Sequence, residues 1–289
     1  MFAITGITGQ VGGQVAQALL ASGCKVRAVL RDAAKAQTWA ARGCDIALAA
    51  MDDVPALTAA FTGVEAAFVL LPPTFDPSPG FGETRRFVDA LFQALAAARP
   101  ARIVCISTIG AQATEENLLT QLQLLERGLG ALPLPIAFLR PAWFMENTAW
   151  DIASAQETSS IASFLQPVDK PVPMVATRDV ANVAARLLQE EWRGRRVIEL
   201  EGPERVSPSD IAAALGQILR RDVQVQPVPR STWEALFRSQ GMQNPGPRMR
   251  MLDGFNDGWI AFENGTASVT KGSTNLAKVL PELVDRART

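Results

Sequence analysis

A doubly wound α/β fold, a parallel sheet with helices on both faces, is what three observations in this sequence predict. Short apolar runs alternate with helical periods from residue 2 to about residue 140, starting with a strand at 2–5 and a helix through Leu20. Gly6, Gly9 and Gly12 fall in the turn between that first strand and helix (Thr5-Gly6-Ile7-Thr8-Gly9-Gln10-Val11-Gly12). The stretch 66–71 (AAFVLL) is continuously apolar, as a parallel strand buried on both faces requires.

The glycine turn carries the first chemistry. A dinucleotide-binding turn needs residues without Cβ where the chain leaves the strand, where backbone nears a pyrophosphate, and where helix packs on strand. Phosphates then meet free N–H groups and the positive end of the helix. The spacing here is Gly-x-x-Gly-x-x-Gly rather than Gly-x-Gly-x-x-Gly, and a glycine-rich turn without a ligand is the alternative. The strand-then-helix context favours a Rossmann-type unit.

The second strand is expected at 25–30 (KVRAVL), ending at Arg31, with Asp32 capping a helix that runs through Lys35 to about Arg42. An NAD site usually places an acid near the end of this strand for the ribose hydroxyls. Arg31 and, one turn later, Lys35 instead present two cations to a 2′-phosphate, which favours NADP(H) over NAD(H). The alternative for the pair is a solvated surface. A strand at 45–49 and a helix at 54–61 follow. Pro72 and Pro73 stop the apolar strand after Leu71, and residues 74–80 form a turn-rich loop before a helix at about 81–99.

A fifth strand is read at 102–107, a helix at 115–129 and a sixth strand at 136–139. In a doubly wound sheet the loops at Gly6, Arg31, Leu71, Ser107 and Arg140 converge on the carboxyl edge, where ligands bind. Beyond Arg140 come an aromatic loop at 141–147 and irregular chain punctuated by Pro167, Pro171 and Pro173. An amphipathic helix is expected at 179–189 and a strand at 195–200 that joins the main sheet. Ser207-Pro208-Ser209-Asp210 opens a helix, 223–228 reads as a strand, and Ser231-Thr232-Trp233-Glu234 reads as a capping box. Residues 245–289 look like two helices around a looser centre. Residues 1–150 thus read as an NAD(P)-binding domain and 151–289 as a smaller α/β substrate lobe.

At 289 residues, 48% hydrophobic and 20% charged, the chain is long enough for a large core and is not of disordered composition. Lys and Arg number 28 against 29 Asp and Glu, with no long run of one sign, which argues against a nucleic-acid-binding surface. No stretch has the length of a membrane span, and no basic segment with an apolar signal core opens the chain, so a soluble, cytoplasmic protein is expected. Cys24, Cys44 and Cys105 are scattered and odd in number, which favours buried reduced thiols over disulfides or a metal site. With no His, histidine metal sites, serine-histidine triads and histidine bases are excluded. Tyr is absent too.

Several stretches together resemble the NmrA-like branch of the atypical short-chain dehydrogenases, which includes NADPH-dependent quinone and azo-dye reductases and NADPH-sensing regulators. They are Ile4 to Gly12, Val29-Leu30-Arg31-Asp32 with Lys35, Val104 to Ala111, Leu139 to Asn147, and Asp179-Val180-Ala181. The resemblance implies that Gly6, Thr8, Gly9, Gln10 and Val11 hold the pyrophosphate and that Arg31 and Lys35 hold the 2′-phosphate. It implies that Leu71 and Pro72 line the path to the nicotinamide, that Ser107 lies near it, and that Pro141 to Phe144 wall it. Trp143, Phe144 and Asn147 would face the acceptor, with plain core packing as the alternative for the two aromatics. Where the family often has an acid reaching the adenine, this chain has Ala50, and Met51 is left to pack on the ring. Anchored on Glu126, the tyrosine and lysine positions of short-chain dehydrogenases fall at Leu118 and Leu122, neither of which can donate a proton.

The leading expectation is an NADP(H)-dependent oxidoreductase passing hydride to an electron-poor, aromatic small molecule such as a quinone or azo compound. A quinone can take its protons from solvent, and an apolar cavity suggested by Trp143, Phe144, Met145 and Trp150 suits a flat acceptor. The alternative is a non-catalytic NADP(H)-sensing regulator, which tolerates the loss of the tyrosine and lysine.

Overall fold

A computed structural model describes residues 1–263, 265 and 268–287. The first half alternates as expected: β1 (Phe2–Ile4), α1 (Gln10–Ala21), β2 (Val26–Leu30), α2 (Ala36–Ala40), β3 (Asp45–Leu48), α3 (Val54–Phe61), β4 (Ala66–Val69), α4 (Gly82–Ala98), β5 (Arg102–Ile106), α5 (Thr120–Leu129) and β6 (Ile136–Pro141). The second half comprises β7 (Trp143–Phe144), α6 (Ala149–Thr158), β8 (Ser160–Ser163), β9 (Met174–Val175), α7 (Thr177–Gln189), β10 (Arg195–Glu201), α8 (Pro208–Leu219), β11 (Gln224–Pro227), α9 (Trp233–Ser239), α10 (Gly246–Asp257), β12 (Thr270–Lys271) and α11 (Leu276–Arg286).

The main sheet runs β12-β10-β6-β5-β4-β1-β2-β3, and every pairing in it is parallel. Strand order therefore reverses between β1 and β4, the position where such sheets open a ligand crevice. Thr5 closes the base of that crevice. Its Oγ1 accepts the Leu70 N–H at 2.9 Å and donates to the Phe68 carbonyl at 3.1 Å.

Two apolar layers flank the sheet, and β4 feeds both because its side chains alternate. Ala66 and Phe68 pack with Val15 and Leu19 of α1 and Val180, Ala184 and Leu188 of α7. Ala67 and Val69 pack with Leu57 and Phe61 of α3, Leu91 and Leu95 of α4, and Leu125 and Leu129 of α5. That double burial is the reason 66–71 reads as an unbroken apolar run. Each such fully buried large side chain contributes on the order of 1.5 to 3 kcal/mol.

The strand after α7 adds to the sheet as expected, with Ile198 of β10 opposite Leu139 of β6. Asp179, buried in the first turn of α7, accepts the N–H groups of Ser273 and Thr274 at 2.9 and 2.8 Å and the Thr274 hydroxyl at 2.9 Å. This ties the segment after β12 to the helix that packs on α1. The capping box at Ser207 forms in full, with Asp210 as its reciprocal partner.

Three local expectations are corrected. The helix read from residue 115 begins at Thr120, because Asn117 turns the chain: its side chain accepts the Leu119 N–H at 2.8 Å and its own N–H binds Thr120 Oγ1 at 2.9 Å. No capping box forms at 231–234. There Arg230–Thr232 is a tight 3₁₀ turn, the Thr232 hydroxyl donates to the Pro229 carbonyl at 2.8 Å, and Glu234 pairs with Arg238. The helix expected after Asp32, through Lys35 to about Arg42, is split into two short turns and ends at Ala40. Asp32 caps a 3₁₀ turn, Ala33–Lys35, and α2 stops before Gly43, whose φ of +84° no helix continues through. Cys44 and Cys105 are buried and Cys24 half-buried, all three unpaired. Among the described residues no helix is long and apolar enough to cross a membrane.

Candidate functional site

The first turn after β1 is shaped by close backbone approach. Gly6 has φ +61°, and its carbonyl accepts the Gly9 N–H at 3.0 Å. A Cβ on Gly12 would lie 2.4 Å from the Gly6 carbonyl oxygen, so α1 packs against this turn at a distance only glycine permits. Gly9 is the N-cap of α1 and offers no side chain to cap it, and no acid occupies the first turn. Thr8, Gly9 and Gln10 are exposed, while Val11 is buried in the core. The result is a helix start with amide donors free to meet an anion at the switch point of the sheet.

Arg31 follows the last residue of β2, and Lys35 ends the 3₁₀ turn beside it. Both side chains are exposed, and neither takes part in an ion pair among the described residues. Met51 lies half-buried just past β3, against the α3–α4 layer, and Ala50 beside it is exposed. Leu71 is buried and Pro72 half-buried at the exit of β4. A polar cavity of about 480 Å³ adjoins the turn at Gln10 and runs along α1, α7 and α11, past Gln14, Glu146, Arg178 and Lys278.

At the carboxyl ends of β5 and β6 sits a buried charged cluster that the sequence reading did not find. Arg140 holds Glu126 of α5 through both carboxylate oxygens, at 2.8 and 2.7 Å, and reaches Glu263 at 2.6 Å and Glu199 at 3.7 Å. Arg140, Glu126 and Glu199 expose 6%, 13% and 4% of their side chains. Burial opposes the Arg140 charge, but the hydrogen bonds and attraction of Glu126 and Glu263 outweigh it, and its pKa is raised. A signal was present in the sequence: one arginine closing the apolar run 136–139, with an acid on the preceding helix. Arg140 and the buried Pro141 are strand residues, not the start of a loop.

Ser107 belongs to the same cluster. Its hydroxyl donates to Glu126 Oε1, and its N–H binds the Leu139 carbonyl at 2.7 Å. A serine hydroxyl has one proton, and a carboxylate clamped by a guanidinium only accepts. Toward a ligand, Ser107 can therefore act as an acceptor only.

The tyrosine and lysine positions are apolar and face opposite layers. Leu118 is buried in the α1–α7 cluster, outside α5, while Leu122 packs against the α3–α4–α5 layer. Of the aromatic loop, Trp143 and Phe144 are half-buried and pair with Met174 and Val175. Trp143 also packs edge-on against Phe255 of α10, ring centres 5.1 Å apart. Asn147 is half-buried. Met145 is fully buried in the core rather than lining a cavity, and it abuts Gly202, where a Cβ would sit 2.9 Å from its methyl carbon. Glu146 accepts the Thr177 N–H and hydroxyl, the latter at 2.6 Å, and so fixes this segment to α7.

A profile of the NmrA-like family matches residues 1–252. The chain belongs to the NmrA-like family. It is 29% identical over 245 residues to Quinone oxidoreductase 2 of Escherichia coli (strain K12), covering 84% of this chain and 82% of that protein. It is 26% identical over 249 residues to an NAD(P)H azoreductase of Xenophilus azovorans, again covering 84% and 82%. Its fold superimposes on the crystal structure of an NADPH-dependent quinone oxidoreductase from Escherichia coli complexed with NADPH, with TM-score 0.81, 26% identity, and 98% and 99% of the two chains covered. The glycine turn, the parallel sheet and its reversal after β1 are features of the NmrA-like chain described here.

Proposed function

We propose that this protein is an NADP(H)-dependent oxidoreductase that passes hydride to an electron-poor small-molecule acceptor, such as a quinone or an azo compound. The observation that carries the reading is the uncapped start of α1 at the switch point, held against the Gly6 carbonyl by Gly12. The reductase relatives of the NmrA-like family support it. The site fits a dinucleotide because its glycines leave the space that a pyrophosphate fills. When bound, the cofactor supplies a hydride from its nicotinamide.

The residues divide that work along the carboxyl edge. Gly6, Thr8, Gly9, Gln10 and Val11 hold the pyrophosphate, Arg31 and Lys35 the 2′-phosphate, and Met51 packs on the adenine. NADP(H) is favoured over NAD(H) by the two exposed cations. Leu71 and Pro72 line the way to Ser107, Pro141 and Phe144 beside the nicotinamide, and Trp143, Phe144 and Asn147 face a flat aromatic acceptor. Ser107 accepts a hydrogen bond there, its own proton being held by Glu126. No side chain among them serves as a proton donor, so the reduced acceptor takes its protons from water. A cytoplasmic location belongs to the same proposal.

The second reading, a non-catalytic NADP(H)-sensing regulator, draws on Leu118 and Leu122. Mixing the protein with NADPH and a panel of quinones, and following the loss of nicotinamide absorbance, separates the two. Oxidation with saturable dependence on the quinone is the expected result. Tight NADPH binding without oxidation by any acceptor would move the protein to the regulatory reading.

A further inference from the structure

We propose that Phe75 and Trp150 form the outer aromatic wall of the acceptor site and select fused-ring planar acceptors by ring-to-ring contact. The proposal rests on the oxidoreductase reading above and names the part of the chain that recognises its substrate. Among the described residues, the large apolar side chains left exposed are Leu48, Phe75, Trp150 and Val197. Leu48 and Val197 stand singly on strands. Phe75 and Trp150, 51% and 64% exposed, touch each other, with ring centres 6.3 Å apart and planes at 80°. Two large rings kept in water and in mutual contact form an exposed apolar patch, the kind of feature that binding surfaces use.

Topology places that surface over the cleft. Phe75 lies in the loop that leaves β4, three residues past Pro72, and Trp150 lies in the first turn of α6, beyond the segment that leaves β6. Between β4 and β6 runs β5, and Ser107 follows its last residue. The contact between the two rings therefore joins the two chain segments that flank Ser107.

Neither ring is exposed because its backbone is loose. On one side of Phe75 the Thr74 carbonyl accepts from Gln121 Nε2 at 2.9 Å. On the other the Asp76 carboxylate accepts the N–H groups of Gln243 and Asn244 at 2.8 and 2.7 Å. Trp150 sits between Thr148 and Ile152, both buried. A tethered loop and the start of a helix thus hold two rings edge to face, an arrangement that leaves aromatic surface open for a third ring to stack in an offset manner. A fused bicyclic quinone offers that ring face, whereas an acyclic activated alkene does not.

The test compares wild type with Phe75→Ala, Trp150→Ala and Trp150→Phe. Turnover is measured on 1,4-naphthoquinone and on an acyclic enone. Binding of 1,4-naphthoquinone is measured by calorimetry on protein loaded with NADP⁺, where no hydride is available. Circular dichroism melts confirm that each exposed-site variant is folded. The alanine variants are expected to bind naphthoquinone about 3- to 10-fold more weakly, and to lose the same factor in the ratio of kcat/KM for naphthoquinone over the enone. Trp150→Phe, which keeps a ring, is expected to retain most of both. Naphthoquinone binding and ratios equal to wild type in both alanine variants overturn the proposal. So does dissociation of a wild-type dimer by these substitutions, which would mark the pair as a contact between copies. If naphthoquinone binds through the pair but no acceptor oxidises NADPH, the aromatic wall stands and the oxidoreductase reading fails.

Discussion

Arg140, the penultimate residue of β6, grips Glu126 of α5 through both oxygens, and Ser107 donates its hydroxyl proton to the same carboxylate. One buried ion pair thereby fixes the end of β5, the end of β6 and the helix between them. Removing one partner of such a pair leaves an uncompensated buried charge, whereas replacing both by apolar groups is often nearly neutral. Arg140→Met, which strands Glu126 and Glu199, is expected to cost about 3 to 5 kcal/mol in urea unfolding. The double variant Arg140→Met with Glu126→Leu should recover a good part of that loss. Strictly additive losses would mean that the two side chains are not energetically coupled.

Arg31 should decide between the two nicotinamide dinucleotides. A charge-assisted contact to a 2′-phosphate contributes on the order of 1.5 to 3 kcal/mol, so Arg31→Ala is expected to weaken NADPH binding at least about tenfold and leave NADH nearly unchanged. Equal losses for both in a direct titration would assign Arg31 a structural role. A wild-type preference for NADH would remove the 2′-phosphate assignment.

Asp151, in the first turn of α6, has no hydrogen-bond or ionic partner among the described residues, and burial pushes its carboxyl from 3.8 up to about 6. The folded state then binds this proton more tightly than the unfolded chain. Stability from this group falls as pH rises from about 3.8 to about 6, and the full penalty, on the order of 3 kcal/mol at most, persists above that. Asp151→Asn should therefore be more stable than wild type at pH 8, with the difference vanishing toward pH 3.5. Urea melts across that range measure it. A difference independent of pH would show that the charge of Asp151 is not the source.

Quinone turnover should proceed without a side-chain acid at the tyrosine position. Its pH profile is expected to lack a limb in the range of an activated phenol, since the chain contains no Tyr. Restoring the pair, as Leu118→Tyr with Leu122→Lys, should add little to the rate. It should also cost about 1 to 3 kcal/mol of stability, because Leu118 is buried in the apolar core. A gain in turnover of roughly 10² to 10⁴ would contradict the proton-independent mechanism.

By itself the sequence determined the parallel sheet, the glycine turn at its start and the two cations after β2. These are written in local periodicity: an apolar run such as 66–71 must be buried on both faces, and three glycines between strand and helix admit few other turns. The return of β10 to the sheet was legible for the same reason. Capping was legible at Ser207 and failed at 231–234, where Arg230–Thr232 forms a 3₁₀ turn and Glu234 pairs with Arg238 instead. Tertiary structure alone decided which side chains meet. Arg140 found Glu126, Glu199 and Glu263 across three other segments, Leu118 and Leu122 turned to opposite layers, and Phe75 met Trp150 over the edge of the sheet. Such contacts depend on strand order and on the packing of helices distant in the chain, and a periodicity of two or 3.6 residues carries no information about either.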